Sequence, residues 1–161
     1  MIELPKEVVA AFDDPDTIKV LTTTDEVGNP HTVFKYSMVV REDGQLAFLE
    51  LLERSRTYKN MLRNHWFKKK VAVSIFNPKT GLAYQIKGYP TRCIIEGDEW
   101  VKFRADLWEQ MPDIEPAALW HIGPEEVLDE SVAGRFEEEK RRILQLEFWN
   151  IHQRRSKYIK G

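Results

Sequence analysis

The sequence predicts a mainly β, α+β domain: an antiparallel sheet, bent in the manner of a small barrel, with helices around it. Three observations predict it. From Ile18 onward, runs rich in β-branched and aromatic residues follow one another with only a few turn residues between them, which suits hairpin neighbours better than parallel crossovers. Gly88 and Pro90 interrupt the longest of these runs, as a bulge or bend does where a strand rounds a corner. Residues 53–66 and 98–111 instead repeat their apolar side chains at helical spacing.

Taken in order, Pro5 to Phe12 reads as a short helix with proline in its first turn, ended by "DDPD". "IKVLTTT", the turn signal "DEVGNP", the strand "HTVFKYSMVV", the turn "REDG" and the strand "QLAFLELL" follow. A helix capped by Ser55 comes next, with Tyr58, Met61, Leu62, His65 and Trp66 as its apolar stripe. "KKVAVSIF" and "LAYQIKGYPTRCIIEG" form the clearest hairpin, because "NPKTG" between them supplies Pro and Gly for a tight turn. A third helix starts at an Asp98 cap and lays Trp100, Phe103, Leu107 and Met111 on one face. "PAALWHIGPEEVLDES" reads as a strand, a Gly-Pro break and a short extended segment. The tail from Gly134 is helical, acidic early and basic late as the helix dipole prefers. Ile143, Leu146, Trp149 and Tyr158 in it need a surface to cover them, either this chain's own barrel or a second subunit.

With 161 residues, one domain is expected, 1–161, with 134–161 as a C-terminal helical extension. A net charge of −2 gives no overall pull toward nucleic acid or an anionic membrane, so any basic function is local. The single Cys93 allows no intrachain disulfide, and no secretory leader or membrane-length apolar run is present; a cytoplasmic, soluble protein is expected.

The start of the Ser55 helix is unusual. Its first turn carries Arg56 and Lys59 where acids are the rule, an arrangement disfavoured by about 0.3–1 kcal/mol per cation. Two explanations stand open: a basic, solvated helix face balanced by Glu53, or a bound anion such as a phosphate monoester held by the free N–H groups, the hydroxyls of Ser55 and Thr57, and the two cations.

Other chemistries lack their residues. The four histidines show no metal-ligand spacing, no Gly-x-Ser-x-Gly elbow or P-loop occurs, and no Gly-x-Gly-x-x-Gly follows a strand. Cys93, inside a strand, reads as a packed thiol.

Strand, "GNPH", strand, "DG", strand, the "SRTYKN" helix, strand, and a hairpin closing on "YQIKG", from about Ile18 to Glu130, resembles the FMN-binding split β-barrel proteins of the pyridoxamine 5′-phosphate oxidase-like superfamily. The resemblance implies a six-stranded antiparallel split β-barrel with flanking helices and a C-terminal helix. It implies FMN as cofactor, its phosphate held at the helix start by residues matching Ser55, Arg56, Thr57 and Asn60; Lys59 is added from its charge and position. The stretch matching the flavin-lining strand is Thr32, Val33, Phe34 and Lys35, and plain barrel packing is the competing role for Val33 and Phe34. Alternation puts Gln85 and Lys87 on one strand face, either near the flavin's pyrimidine edge or on a solvated outer face. Trp120 covers the ring from the partner subunit or packs in the core. Two departures stand out: Leu51 and Leu52 replace a usual Thr late in the third strand, and the Arg- and Pro-containing chain end of the true pyridoxamine phosphate oxidases is absent.

The implied function is a homodimeric FMN flavoprotein, an oxidoreductase moving hydride or electrons to or from a small molecule, with FMN at the dimer interface and no metal. No catalytic acid or base is identified. The alternative is a binding or regulatory module of the same fold, with haem or a deazaflavin in the barrel or nucleic acid on the basic clusters at 54–70 and 154–160. In a slightly acidic chain such clusters read first as solvated faces, and nucleic acid is not expected as partner.

Overall fold

The computed structural model describes residues 2–158, with side chains as far as Trp149. It divides into two units, residues 1–128 and 129–161. The first is a seven-stranded antiparallel sheet, curled into a half-barrel, with three helices: α1 (Lys6–Asp13), β1 (Ile18–Thr24), β2 (Pro30–Phe34), β3 (Val39–Val40), β4 (Leu46–Glu50), α2 (Arg56–Trp66), β5 (Val71–Phe76), β6 (Ala83–Ile94), α3 (Asp98–Gln110) and β7 (Ala118–Asp129). The strand order is β2-β1-β5-β6-β7-β4-β3.

This is one strand more than expected, for a physical reason. "HTVFKYSMVV" does not run on as one strand: Lys35 to Met38 form a turn, closed by Met38 N–H donating to the Lys35 carbonyl at 3.2 Å. The two halves, β2 and β3, go to opposite edges of the sheet. A turn brings its first and last Cα atoms within about 7 Å, so the sheet must curl until its edges approach. Lys19 fastens the seam, its Nζ donating to the Phe12 carbonyl at 2.5 Å and to the Met38 carbonyl at 3.0 Å.

The expected break at Gly123-Pro124 is also absent, and β7 runs through both residues. There β6 and β7 approach so closely that a Cβ on Gly88 would lie 2.3 Å from the Gly123 carbonyl oxygen, which explains the glycine inside a long strand. Pro124 lacks an N–H, and its carbonyl accepts from Ile2 N–H at 2.9 Å.

The barrel core gathers Leu21, Phe48, Met61, Val73, Ile86 and Trp120 with Val8 and Phe12 of α1. A second cluster, Ala47, Leu49 and Leu119 with Trp100 and Leu107, lies where α3 covers the other face of β4 and β7. All five residues of β4 are therefore buried, which accounts for the unbroken apolar run from Leu46 to Leu49. Met111 falls at the C-cap of α3 and is 40 % exposed, and Gly97, not Asp98, is the N-cap.

The second unit carries α4 (Val132–Tyr158). Phe136, Ile143, Leu144, Leu146, Phe148 and Trp149 are exposed along it. The side chains of Tyr158 and of the basic residues Arg154, Arg155, Lys157 and Lys160 lie outside the described residues. Among the described residues no helix is long and apolar enough to cross a membrane.

Candidate functional site

The chain leaves β4 at Glu50, turns, and enters α2 through Ser55, whose Oγ accepts the Tyr58 N–H at 2.9 Å as an N-cap. Ser55 Oγ also donates to Glu50 Oε1 at 3.1 Å. Glu50, only 4 % exposed, accepts as well from Lys35 Nζ at 2.6 Å and from Leu52 N–H at 3.4 Å. Two expected site residues, Lys35 and Ser55, thus meet through a residue that sequence reasoning passed over. The available signal was an acid ending an otherwise apolar strand, because a buried carboxylate needs a partner.

The expected stripe of α2 is displaced. Its buried face is Thr57, Asn60, Met61 and Asn64, whereas Leu62, His65 and Trp66 are exposed. The asparagines sit on β1, Asn60 Nδ2 donating to Thr23 Oγ1 at 3.0 Å and the Asn64 amide lying 3.1 Å from Thr24 Oγ1. Polar side chains are buried there because the threonines of β1 satisfy them.

The next face of α2 presents Arg56, Lys59 and Arg63, at i, i+3 and i+7, to a concavity of about 510 Å³ completed by Asn60, by Asp25, Glu26 and Asn29 of the β1–β2 turn, and by Pro30 and His31 at the start of β2. The Asp25 carboxylate is committed to that turn, accepting from Val27 N–H, Asn29 N–H and Asn29 Nδ2. Arg63 donates to the Glu26 carbonyl at 3.4 Å. Among the described residues, Arg56 and Lys59 have no ion pair. Around this open space stand two cations of the first turn, Arg56 and Lys59, and a third, Arg63, in the last turn, with the carboxylates of Asp25 and Glu26 in the same lining.

Strand register sorts the remaining residues. Val20 pairs with Phe34 and with Ser74, which pairs with Gln85; Thr22 pairs with Thr32 and with Ala72, which pairs with Lys87. Thr32, Phe34, Gln85 and Lys87 therefore share the outer face of the sheet, opposite Leu21 and Ile86. Lys87 Nζ is 3.3 Å from Glu126 Oε2, and Phe34 stacks on Tyr36 with centroids 6.2 Å apart. Val33 points the other way and packs on the core. Trp120 stands apart from all of these: it is fully buried, edge-on to Tyr58 at 6.1 Å and to His65 at 6.3 Å.

No protein-family model matches the chain, and no curated protein matches it. Solved structures do. HupZ of Group A Streptococcus is 19 % identical with a TM-score of 0.66, covering 80 % of this chain and 95 % of its own. A pyridoxamine 5′-phosphate oxidase-related, FMN-binding protein of Nostoc punctiforme is 16 % identical with a TM-score of 0.56, covering 79 % and 83 %. HutZ, the heme storage protein of Vibrio cholerae, is 14 % identical with a TM-score of 0.55, covering 80 % and 95 %. The chain has the pyridoxamine 5′-phosphate oxidase-like fold.

Two further groups of this split barrel titrate abnormally. His121, fully buried in β7, has Nε2 3.0 Å from Glu99 Oε1 and 3.4 Å from Arg41 Nη1. Arg41 pairs with Glu99 and with Asp43, so the network ties α3 and the β3–β4 turn to β7. Burial, then the charges of Arg41 and Arg92, push His121 down to about 4, against a smaller opposite pull from Asp43. Burial raises the Cys93 thiol, against a hydrogen bond with Tyr58 that lowers it. Cys93 is half-buried and packs against the barrel core, as the packed thiol expected from the sequence does. No cluster able to hold a metal ion occurs among the described residues.

Proposed function

We propose that this split barrel is a homodimeric flavoprotein that binds FMN non-covalently and passes hydride or electrons to or from a small molecule. The observation that carries the proposal is the set of cations Arg56, Lys59 and Arg63 along one face of α2, the first two in its first turn, on one concavity, in a fold shared with an FMN-binding protein. The fit is good at the anionic end, where a phosphate monoester supplies the charge that Arg56 and Lys59 lack. Thr32, Phe34, Gln85 and Lys87 share the outer sheet face and do not line that concavity, and the Lys87 ammonium is engaged by Glu126. The flavin supplies the redox chemistry; the chain holds the phosphate and orients the ring.

Apolar side chains support the dimer. Ile18, Phe34 and Phe76 are exposed on the outer sheet face with Tyr36 of the adjoining turn stacked on Phe34, and α4 carries its own exposed row. The lone Cys93 fits a reducing, cytoplasmic setting.

One observation favours a second ligand, haem. His31 lines the same concavity as the three cations, an imidazole for iron beside positive charge for propionates, and the fold is also that of a heme storage protein. An absorption spectrum of the protein dialysed against FMN, and separately against hemin, decides between them. Flavin bands retained after gel filtration support the first reading. A Soret band with no retained flavin supports the second, and a colourless protein in both cases defeats the two together.

A further inference from the structure

The cations at the start of α2 pose a charge problem that the outer concavity does not fully answer. The first turns of α1 and α3 carry acids, Glu7 in one and Asp98 and Glu99 in the other, but that of α2 carries none. The positive end of its dipole is therefore unneutralised from within the helix. On the inner side, three donors of different kinds converge there on a single carboxylate: Lys35 Nζ at 2.6 Å, Ser55 Oγ at 3.1 Å and Leu52 N–H at 3.4 Å, all to Glu50. An ammonium, a hydroxyl and a main-chain N–H beside a helix start make a receptor for an oxyanion. Here the oxyanion belongs to the chain. The Glu50 side chain is 5 % exposed and that of Lys35 12 %, and Lys35 Nζ lies 5.0 Å from the centre of the buried Phe48 ring, so water does little to replace either charge.

We propose that Glu50 is a resident anion: it fills the Lys35–Ser55 receptor from inside the chain and leaves Arg56, Lys59 and Arg63 as the place where an outside anion is held. Glu50 is then a specificity-determining residue. A doubly charged phosphate meets repulsion on the inner side of the helix start and finds free cations only on the outer side. The inner half of this inference stands without the flavin; the outer half rests on the anion site proposed above.

Inorganic phosphate is the probe. Thermal unfolding of the wild type, of Glu50→Gln, and of the double variant Lys35→Met/Glu50→Gln is followed in phosphate and in chloride at equal ionic strength. Glu50→Gln should be less stable than the wild type in chloride, because Lys35 is left buried and unpaired, and phosphate should stabilise it more than it does the wild type. The double variant, without the ammonium, should lose that extra gain. A Glu50→Gln response no larger than the wild type's, or one that survives in the double variant, overturns the proposal. If Glu50→Gln does not fold in either buffer, the double variant decides against the wild type: an equal phosphate response supports a closed inner receptor, and a response lost with Lys35 overturns it. Where FMN binds, Glu50→Gln should also tighten FMN on the order of tenfold, as one charged hydrogen bond gained implies, while riboflavin affinity stays unchanged. Failure of FMN to bind leaves the phosphate arms intact and counts only against the flavin reading.

Discussion

Among the described residues, Arg56 and Lys59 stand without ion partners on one side of α2 while Lys35 is paired on the other. Substitution should separate these roles. Replacing Arg56 and Lys59 together with Ala is expected to weaken FMN by tenfold or more, since charged hydrogen bonds contribute about 1.5–3 kcal/mol each, and to leave the unfolding midpoint nearly unchanged; fluorescence titration and thermal melts measure the two. An equal loss in both would mark the cations as structural. Thr57 is the wrong residue for this test, because it is 3 % exposed and its removal would probe packing. His121 governs a pH response instead. Its folded value of about 4 lies below the ordinary imidazole value of about 6.5, so between the two the unfolded chain binds a proton that the folded chain refuses. Stability from this group is complete above about pH 6.5 and drains away as pH falls through 4, on the order of 3 kcal/mol in all. His121→Gln, which keeps an N–H for Glu99, should flatten that part of the stability curve in urea unfolding at several pH values. Of these residues, the sequence made Arg56 and Lys59 legible because they break a helix-end rule. It hid Glu50, whose partner Lys35 is fifteen positions away and meets it only after the sheet has curled.

At the scale of elements, alternation and turn chemistry were reliable where the chain obeyed one period. β1 and the β5–β6 hairpin lie where their residues put them. Period failed where one continuous β-prone run served two strands, as at 31–40, because nothing local says that Lys35 to Met38 must turn to reach the far edge of the sheet. It failed again on α2, where Asn60 and Asn64 are buried and Trp66 is not, since satisfaction by Thr23 and Thr24 is a tertiary fact. The crossing of β6 and β7 is a sharp test of the architecture. Gly88→Ala drives a methyl into the Gly123 carbonyl, so the strands must part; a loss of about 1–3 kcal/mol is expected in urea unfolding. Gly28→Ala, in the β1–β2 turn, meets no neighbouring atom but has φ +91°, and it should lose stability through backbone strain alone.

For the whole molecule, the proposed dimer predicts a sedimentation coefficient of two chains at micromolar concentration. Phe34→Glu, on the outer sheet face where that side chain is 61 % exposed, should shift the population toward single chains without unfolding them. A single species of one chain in the unaltered protein would remove the dimer from the functional proposal. The sequence pointed to this exposed surface only indirectly, through apolar residues on α4, because whether an apolar strand residue faces inward or outward depends on a register that no short window contains.

The turn from Lys35 to Met38 works as the clasp of a hoop. Tyr36, 81 % exposed, sits in it, open to a protease that cuts after aromatic residues. A nick there breaks no ladder hydrogen bond. It does remove the tether that keeps each rim of the sheet at high effective concentration for the other. Two freed rims would then be available to strands of another molecule, and a nicked preparation should exchange segments and aggregate on storage while the intact chain does not.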